Sequence, residues 1–207
     1  RHITRPYLPQ DYKLDTGPST DEQVVHVEAS WHHSKGKGVV EETQFIESLA
    51  FGVDTVKLGG IVATADPRDR NFKKILKLHH KASPHFRGIR KMASFHEDKQ
   101  IHAWTDEPQL YRNKKFLKGF EVLSQYNLSF DAWVYSTQLE DVIYLAKQFP
   151  ETSIVLDHLG TPAGLFGPIG ANTGMTQTAR ENIFFRWKDD LAELASCPNV
   201  YTKMSGL

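Results

Sequence analysis

The 207 residues carry 25 Lys+Arg against 25 Asp+Glu, with 40% hydrophobic and 11% aromatic residues. That composition excludes a disordered chain, and the balanced charge offers no field for nucleic acid, so a small-molecule substrate is expected and no nucleic-acid partner. Cys197 has no second cysteine to pair with, no run approaches the ~18 apolar residues that a bilayer span needs, and the first residues lack a signal-peptide core, which together point to a cytoplasmic protein without membrane contact.

In chain order, a first strand is expected over 24–29. Period-two alternation turns Val25, Val27 and Ala29 toward helices and His26 and Glu28 the other way. Trp31, His32 and His33 follow at a pocket mouth, where neighbouring histidines on an extended chain point apart and make a poor metal pair. Gly36-Lys37-Gly38 reads as a surface turn. Phe45, Ile46 and Leu49 have helical spacing, a strand follows over 56–63, and Phe72, Ile75 and Leu76 mark the next helix, which turns His79 and His80 toward solvent or sheet and away from chemistry. The strand over 86–92 sets Arg90 on the face of Gly88. After it comes a long segment, 94–113, with His96, His102 and Trp104, suited to a lid or specificity loop.

Phe116, Leu117, Phe120 and Leu123 predict a helix, then a strand over 128–135 aligns Asp131, Trp133 and Tyr135. Leu139, Val142, Ile143 and Ala146 predict another helix. The strand over 153–158 ends in His158, on the face of Ile154 and Leu156, with Asp157 opposite and assigned to fixing a neighbouring loop. A Gly/Thr-rich stretch, 164–178, is a second loop of the lid kind. Phe184, Trp187, Leu191, Leu194 and Ala195 mark the last helix, and a strand over 200–205 aligns Tyr201, Lys203 and Ser205.

Strands alternating with helices imply parallel pairing and right-handed crossovers. The expected fold is therefore α/β, a (β/α)8 TIM barrel that is incomplete here, with about six βα units. One strand is expected before residue 1 and one after residue 207, making 1–207 a single barrel domain truncated at both ends. An open doubly wound sheet uses the same units but normally carries G-x-G-x-x-G, which is absent. H-E-x-x-H, paired C-x-x-C, G-x-S-x-G and Walker A patterns are absent too.

In such a barrel, groups at strand ends converge on one cavity. His158 is the leading catalytic candidate, since imidazole accepts or donates a proton, or ligates a metal, near neutral pH; a buried His held by backbone is the alternative. Arg90 suits bidentate carboxylate binding or an ion pair with Glu28 or Asp131. Glu28 orients water or balances Arg90. Lys203 balances carboxylates or polarises a carbonyl. Trp133 and Asp131 complete the expected substrate-binding set.

Four segments together resemble a known family: Phe86-Arg87-Gly88-Ile89-Arg90, Leu128-Ser129-Phe130-Asp131-Ala132-Trp133, Ile154-Val155-Leu156-Asp157-His158-Leu159-Gly160, and the run from Pro198 through Tyr201-Thr202-Lys203-Met204-Ser205-Gly206 to Leu207. They are similar to amidohydrolase 2, best to its lactonase-like branch, as are Arg5-Pro6-Tyr7-Leu8 and Val25-His26-Val27-Glu28-Ala29. The resemblance implies a (β/α)8 barrel that opens a lactone or related ester of a small sugar or aromatic-derived acid. His158 matches the family's strand-end histidine. The family's His-x-His after strand one and Asp after strand eight have no counterpart in this sequence, which leaves open one divalent metal such as zinc, with His158 a ligand, or none. A metal-dependent non-oxidative decarboxylase of an aromatic acid and a non-catalytic ligand-binding barrel are the other readings. A homo-oligomer stays open.

Overall fold

The structure is a computed structural model that describes residues 6–17, 23–31 and 36–206. The chain divides into two compact units: one takes Arg1–Thr64 and Lys74–Gly88, the other Ala65–Lys73 and Ile89–Leu207. Six strands lie in one sheet whose order follows the chain: β1 (Gln23–Val27), β2 (Lys57–Thr64), β3 (Phe86–Met92), β4 (Ser129–Trp133), β5 (Ile154–Leu156) and β6 (Val200–Thr202). Strand β3 is shared, its first residues belonging to the first unit and its last to the second. No described helix is long and apolar enough to cross a membrane.

The first unit begins with helix α1 (Pro9–Thr16), which the hydrophobic pattern does not announce because its sequence has no apolar stripe. Its ends carry the signal instead. Pro9 supplies a ready-made first position, Asp11 accepts the Leu8 N–H at 2.8 Å, and Gly17, at φ +57°, stops it. β1 and β2 pair in parallel, with Val24 opposite Leu58 and Val25 opposite Gly60, a one-residue slip. That slip accompanies a departure from the expected alternation: Val25 is 59% exposed, and His26 reaches Glu42 on α2 (Glu41–Glu47) at 3.0 Å. Residues 36–40 wind as a 3-10 turn leading into α2 rather than a bare surface turn. Val56, Leu58, Ile61 and Val62 join Ile75 and Leu76 of α3 (Phe72–Ala82) among the buried residues.

In the second unit, α4 (Lys114–Gln125) follows Asn113, whose side chain accepts the N–H groups of Lys115 and Phe116. Its buried face is Phe116, Phe120 and Leu123, three of the four predicted residues, with Leu117 half-buried. Phe120 and Phe116 meet Phe130 of β4 edge-on at 4.9 and 5.9 Å, and burying each ring contributes about 1.5–3 kcal/mol. Gly119 is required on the other side of α4, since a Cβ there would lie 1.9 Å from Pro67 O. β4 and β6 flank β5 in parallel, and Ile154 and Leu156 are fully buried. Buried Leu139, Val142, Ile143 and Ala146 form the inner face of α5 (Leu139–Gln148), as their spacing predicts. The last helix, α6 (Gln177–Leu194), starts at Thr176, whose hydroxyl accepts Ala179 N–H, and buries only Leu194 fully.

Candidate active site

Strand β5 stops two residues short of its expected end and β6 three. That shortening builds the site. After Leu156 the chain turns through Asp157–Gly160, with His158, Leu159 and Gly160 all at positive φ. Two of these are non-glycine residues in a sparsely populated conformation, so the turn stores strain that its surroundings offset. Trp187 Nε1 donates to Leu159 O at 2.7 Å, and Thr161 N donates to His158 O at 2.9 Å.

Because the strand has ended, alternation no longer separates Asp157 from His158. Asp157 is fully buried and holds two cations: Arg90 Nη1, from β3, donates to its Oδ2 at 3.1 Å, and Lys203 Nζ, just past β6, lies 2.5 Å from its Oδ1. Lys203 Nζ also donates to Asp131 Oδ2, on β4, at 2.5 Å. Only the Asp131 contact has hydrogen-bond direction, since Asp157 Oδ1 is otherwise without a hydrogen-bond partner. Two cations and two carboxylates from four strands thus close a formally neutral cluster. Burial raises the Asp131 carboxyl pKa, against the bond and charge of Lys203. Tyr111, wholly buried, has its hydroxyl pKa raised by desolvation and the Asp157 charge, and donates to Lys91 O at 2.7 Å.

His158 adjoins this cluster. Its ring meets Trp133 edge-on at 5.6 Å, and the Arg90 guanidinium stands 5.2 Å over the same Trp133 ring. Nδ1 lies 3.0 Å from Ser205 Oγ, which leaves Nε2 as the nitrogen offered to a substrate. Gly206 closes over the imidazole at φ +68°; a Cβ there would sit 2.6 Å from Nδ1.

The structure therefore brings together His158, Arg90, Asp131, Trp133 and Lys203. Asp157 is a correction: alternation set it aside, and it is the hub of the cluster. Arg90 takes Asp157 as a partner. Glu28 belongs to the first unit, 4% exposed, its carboxylate accepting Ser30 N–H at 3.1 Å. Tyr201, expected on the face of Lys203, is 62% exposed. His32 and His33 lie outside the described residues, while Trp31 packs on Phe45 of α2 at 5.2 Å. Of the two orientations open to His79, solvent or sheet, the structure takes the sheet: it is fully buried, stacked on Phe86 of β3 at 5.1 Å and bonded to Thr43 on α2 at 2.8 Å. The segments 94–113 and 164–178 interlock, with Thr173 Oγ1 donating to Asp98 at 2.9 Å and Asn172 to Gln100. Asp157 is the residue that sequence reasoning sets aside, and Ser205, which alternation aligns with Lys203, has a contact to His158 that alternation does not name. The signal for Asp157 was the nearby Gly160 and Pro162, which break a strand early.

Among the described residues, no three His, Cys, Asp or Glu side chains converge as metal ligands. Both carboxylates beside His158 are already held by Lys203 and Arg90, so the described set does not by itself fit a metal, and no step is routed through one.

A family model for amidohydrolases matches residues 18–207. An uncharacterized protein of Sinorhizobium fredii is 30% identical over 208 residues, covering 99% of this chain and 62% of its own length. An L-fucono-1,5-lactonase of Burkholderia ambifaria is 32% identical over 124 residues, covering 60% of this chain and 34% of that protein. The crystal structure of an amidohydrolase from Burkholderia multivorans with bound zinc matches with a TM-score of 0.72 at 23% identity, covering all of this chain and 61% of that one. At that identity the likeness establishes fold: α/β, an incomplete TIM barrel. The chain spans 62% of the length of the Sinorhizobium relative.

Proposed function

The chain belongs to the amidohydrolase family, and from that premise we propose that the protein is a hydrolase that opens a lactone or related ester of a small sugar or aromatic-derived acid, in the cytoplasm. The observation that carries this reading is His158, held at Nδ1 by Ser205 and against Trp133, beside a charge-compensated cluster. In the reaction the oxygen of water adds to the lactone carbonyl carbon and the ring C–O bond breaks. The proton lost by water ends on the released hydroxyl or in solution. In this reading His158 Nε2 exchanges that proton or stabilises the carbonyl oxygen as charge develops on it. Asp131, Asp157, Arg90 and Lys203 fix the strand ends that present it, and Trp133 forms a wall of the site. Relatives named L-fucono-1,5-lactonase, at 26% and 32% identity, support the lactone class. Part of the reading is that further barrel strands and catalytic groups lie outside these 207 residues, in one barrel domain.

The test is turnover of a lactone panel by the full-length protein. His158→Ala should lower kcat/KM by about 10²–10⁴-fold, the usual contribution of a positioned proton-transfer group. Undiminished turnover in that variant refutes the assignment.

A further inference from the structure

The segment between β3 and α4 ends a chain of aromatic contacts that starts at His158. Trp133 touches His158, and Trp104 touches Trp133, with ring centroids 5.7 Å apart and planes tilted by 37°. His102 meets Trp104 edge-on at 4.7 Å. Trp104 is 43% exposed, a large apolar ring left in water. Its backbone is nevertheless fixed. Trp104 N donates to Ser94 O at 2.9 Å, Tyr135 Oη donates to His102 O at 2.7 Å, and Ile101 is buried in a cluster with Tyr135 and Ala163. A preorganised exposed indole that fills no core binds a flat apolar face at little ordering cost.

The polar groups next to this wall narrow what can lie on it. Arg90 and Lys203 are matched by Asp131 and Asp157, so a substrate carboxylate would have to compete with two buried carboxylates for the same cations. A neutral ring with C–H groups on one face and hydroxyls on its edge stacks without that competition.

We propose that Trp104 determines substrate specificity, holding the C–H face of a neutral cyclic substrate of the sugar-lactone class beside Trp133 and His158. The proposal rests on the lactonase reading above and adds the residue that selects the ring.

The experiment uses the full-length protein with L-fucono-1,5-lactone as the ring probe and its open-chain acid as the control. Trp104→Ala should raise KM for the lactone about five- to tenfold, the value of one aromatic stack, with the loss falling on KM rather than kcat. Trp104→Phe should recover most of it. The lactone, and not the open-chain acid, should quench indole fluorescence in the parent protein, and that quench should vanish in Trp104→Ala. If the parent hydrolyses the lactone and Trp104→Ala keeps its KM, the inference falls while the lactonase reading stands. If the parent hydrolyses no lactone, the lactonase reading falls and fluorescence decides the stack: equal quenching in parent and Trp104→Ala, or none in either, overturns it, and loss confined to Trp104→Ala upholds it.

Discussion

The two units use the same residue types for opposite ends. In the first, His26 reaches Glu42, His79 reaches Thr43, and Glu47 holds Ser83 and His85, so every pair ties α2 either to β1 or to α3 and the turn after it. In the second, Arg90, Asp131, Asp157 and Lys203 leave four different strands and meet each other. A polar pair between an element and its neighbour in sequence fastens a βα unit. A polar cluster fed by several strand ends couples those ends to one another, and the energetic consequences of cutting each kind differ.

Asp157→Asn gives the largest expected effect. It keeps the shape of a fully buried side chain but strips the negative charge from Arg90 and Lys203, and should cost about 3–5 kcal/mol of unfolding free energy. Glu47→Gln, which cuts a partly exposed pair in the first unit, should cost about 1 kcal/mol or less. Urea unfolding of both variants checks the contrast. Equal losses would show that the strand-end cluster is no more tightly coupled than a helix fastening.

His79 gives the next largest effect, and it appears as pH dependence. Burial lowers its pKa from 6.5 to about 4, so the folded chain keeps the ring neutral where the unfolded chain already takes up a proton. Stability is full above pH 6.5 and falls as pH drops from there toward 4, by up to about 3 kcal/mol at roughly 1.4 per pH unit. Denaturation midpoints at pH 7 and pH 5 measure it. His79→Gln, which cannot titrate, should remove most of that slope. A slope unchanged by the substitution would place the acid sensitivity elsewhere.

The repeating units were legible because burial imposes a period: α5 buried all the residues its spacing named, α4 buried three of four with Leu117 half-buried, and β3 matched its predicted bounds. Strand-end groups were legible as far as the strand ran, which covers Arg90, Asp131 and Trp133. Beyond the end the period loses its meaning. Asp157 was assigned the wrong face because alternation was carried one residue past Leu156, where the backbone had already turned. Helix α1 stayed hidden for a different reason, since its signals are caps and not a stripe. Pair partners were the least legible: nothing in spacing tells Arg90 to choose Asp157 over Asp131, because that choice is made by distances between strands.

The smallest effect isolates positioning from packing at His158. Ser205 is exposed and its hydroxyl lies 3.0 Å from Nδ1, so Ser205→Ala should change unfolding free energy by less than about 0.5 kcal/mol. Without that oxygen the imidazole loses the contact that sets which nitrogen carries the proton, and one hydrogen bond of about 1 kcal/mol corresponds to roughly a fivefold fall in kcat/KM. The fall should lie in kcat with KM little changed, a split that a merely structural serine would not produce. Ser205→Thr, which retains the oxygen, should restore kcat. If Ser205→Ala keeps the parent kcat/KM, the imidazole is oriented by its packing against Trp133 and Gly206, and the strand-end region then differs from the first unit, whose histidines are held by polar pairs.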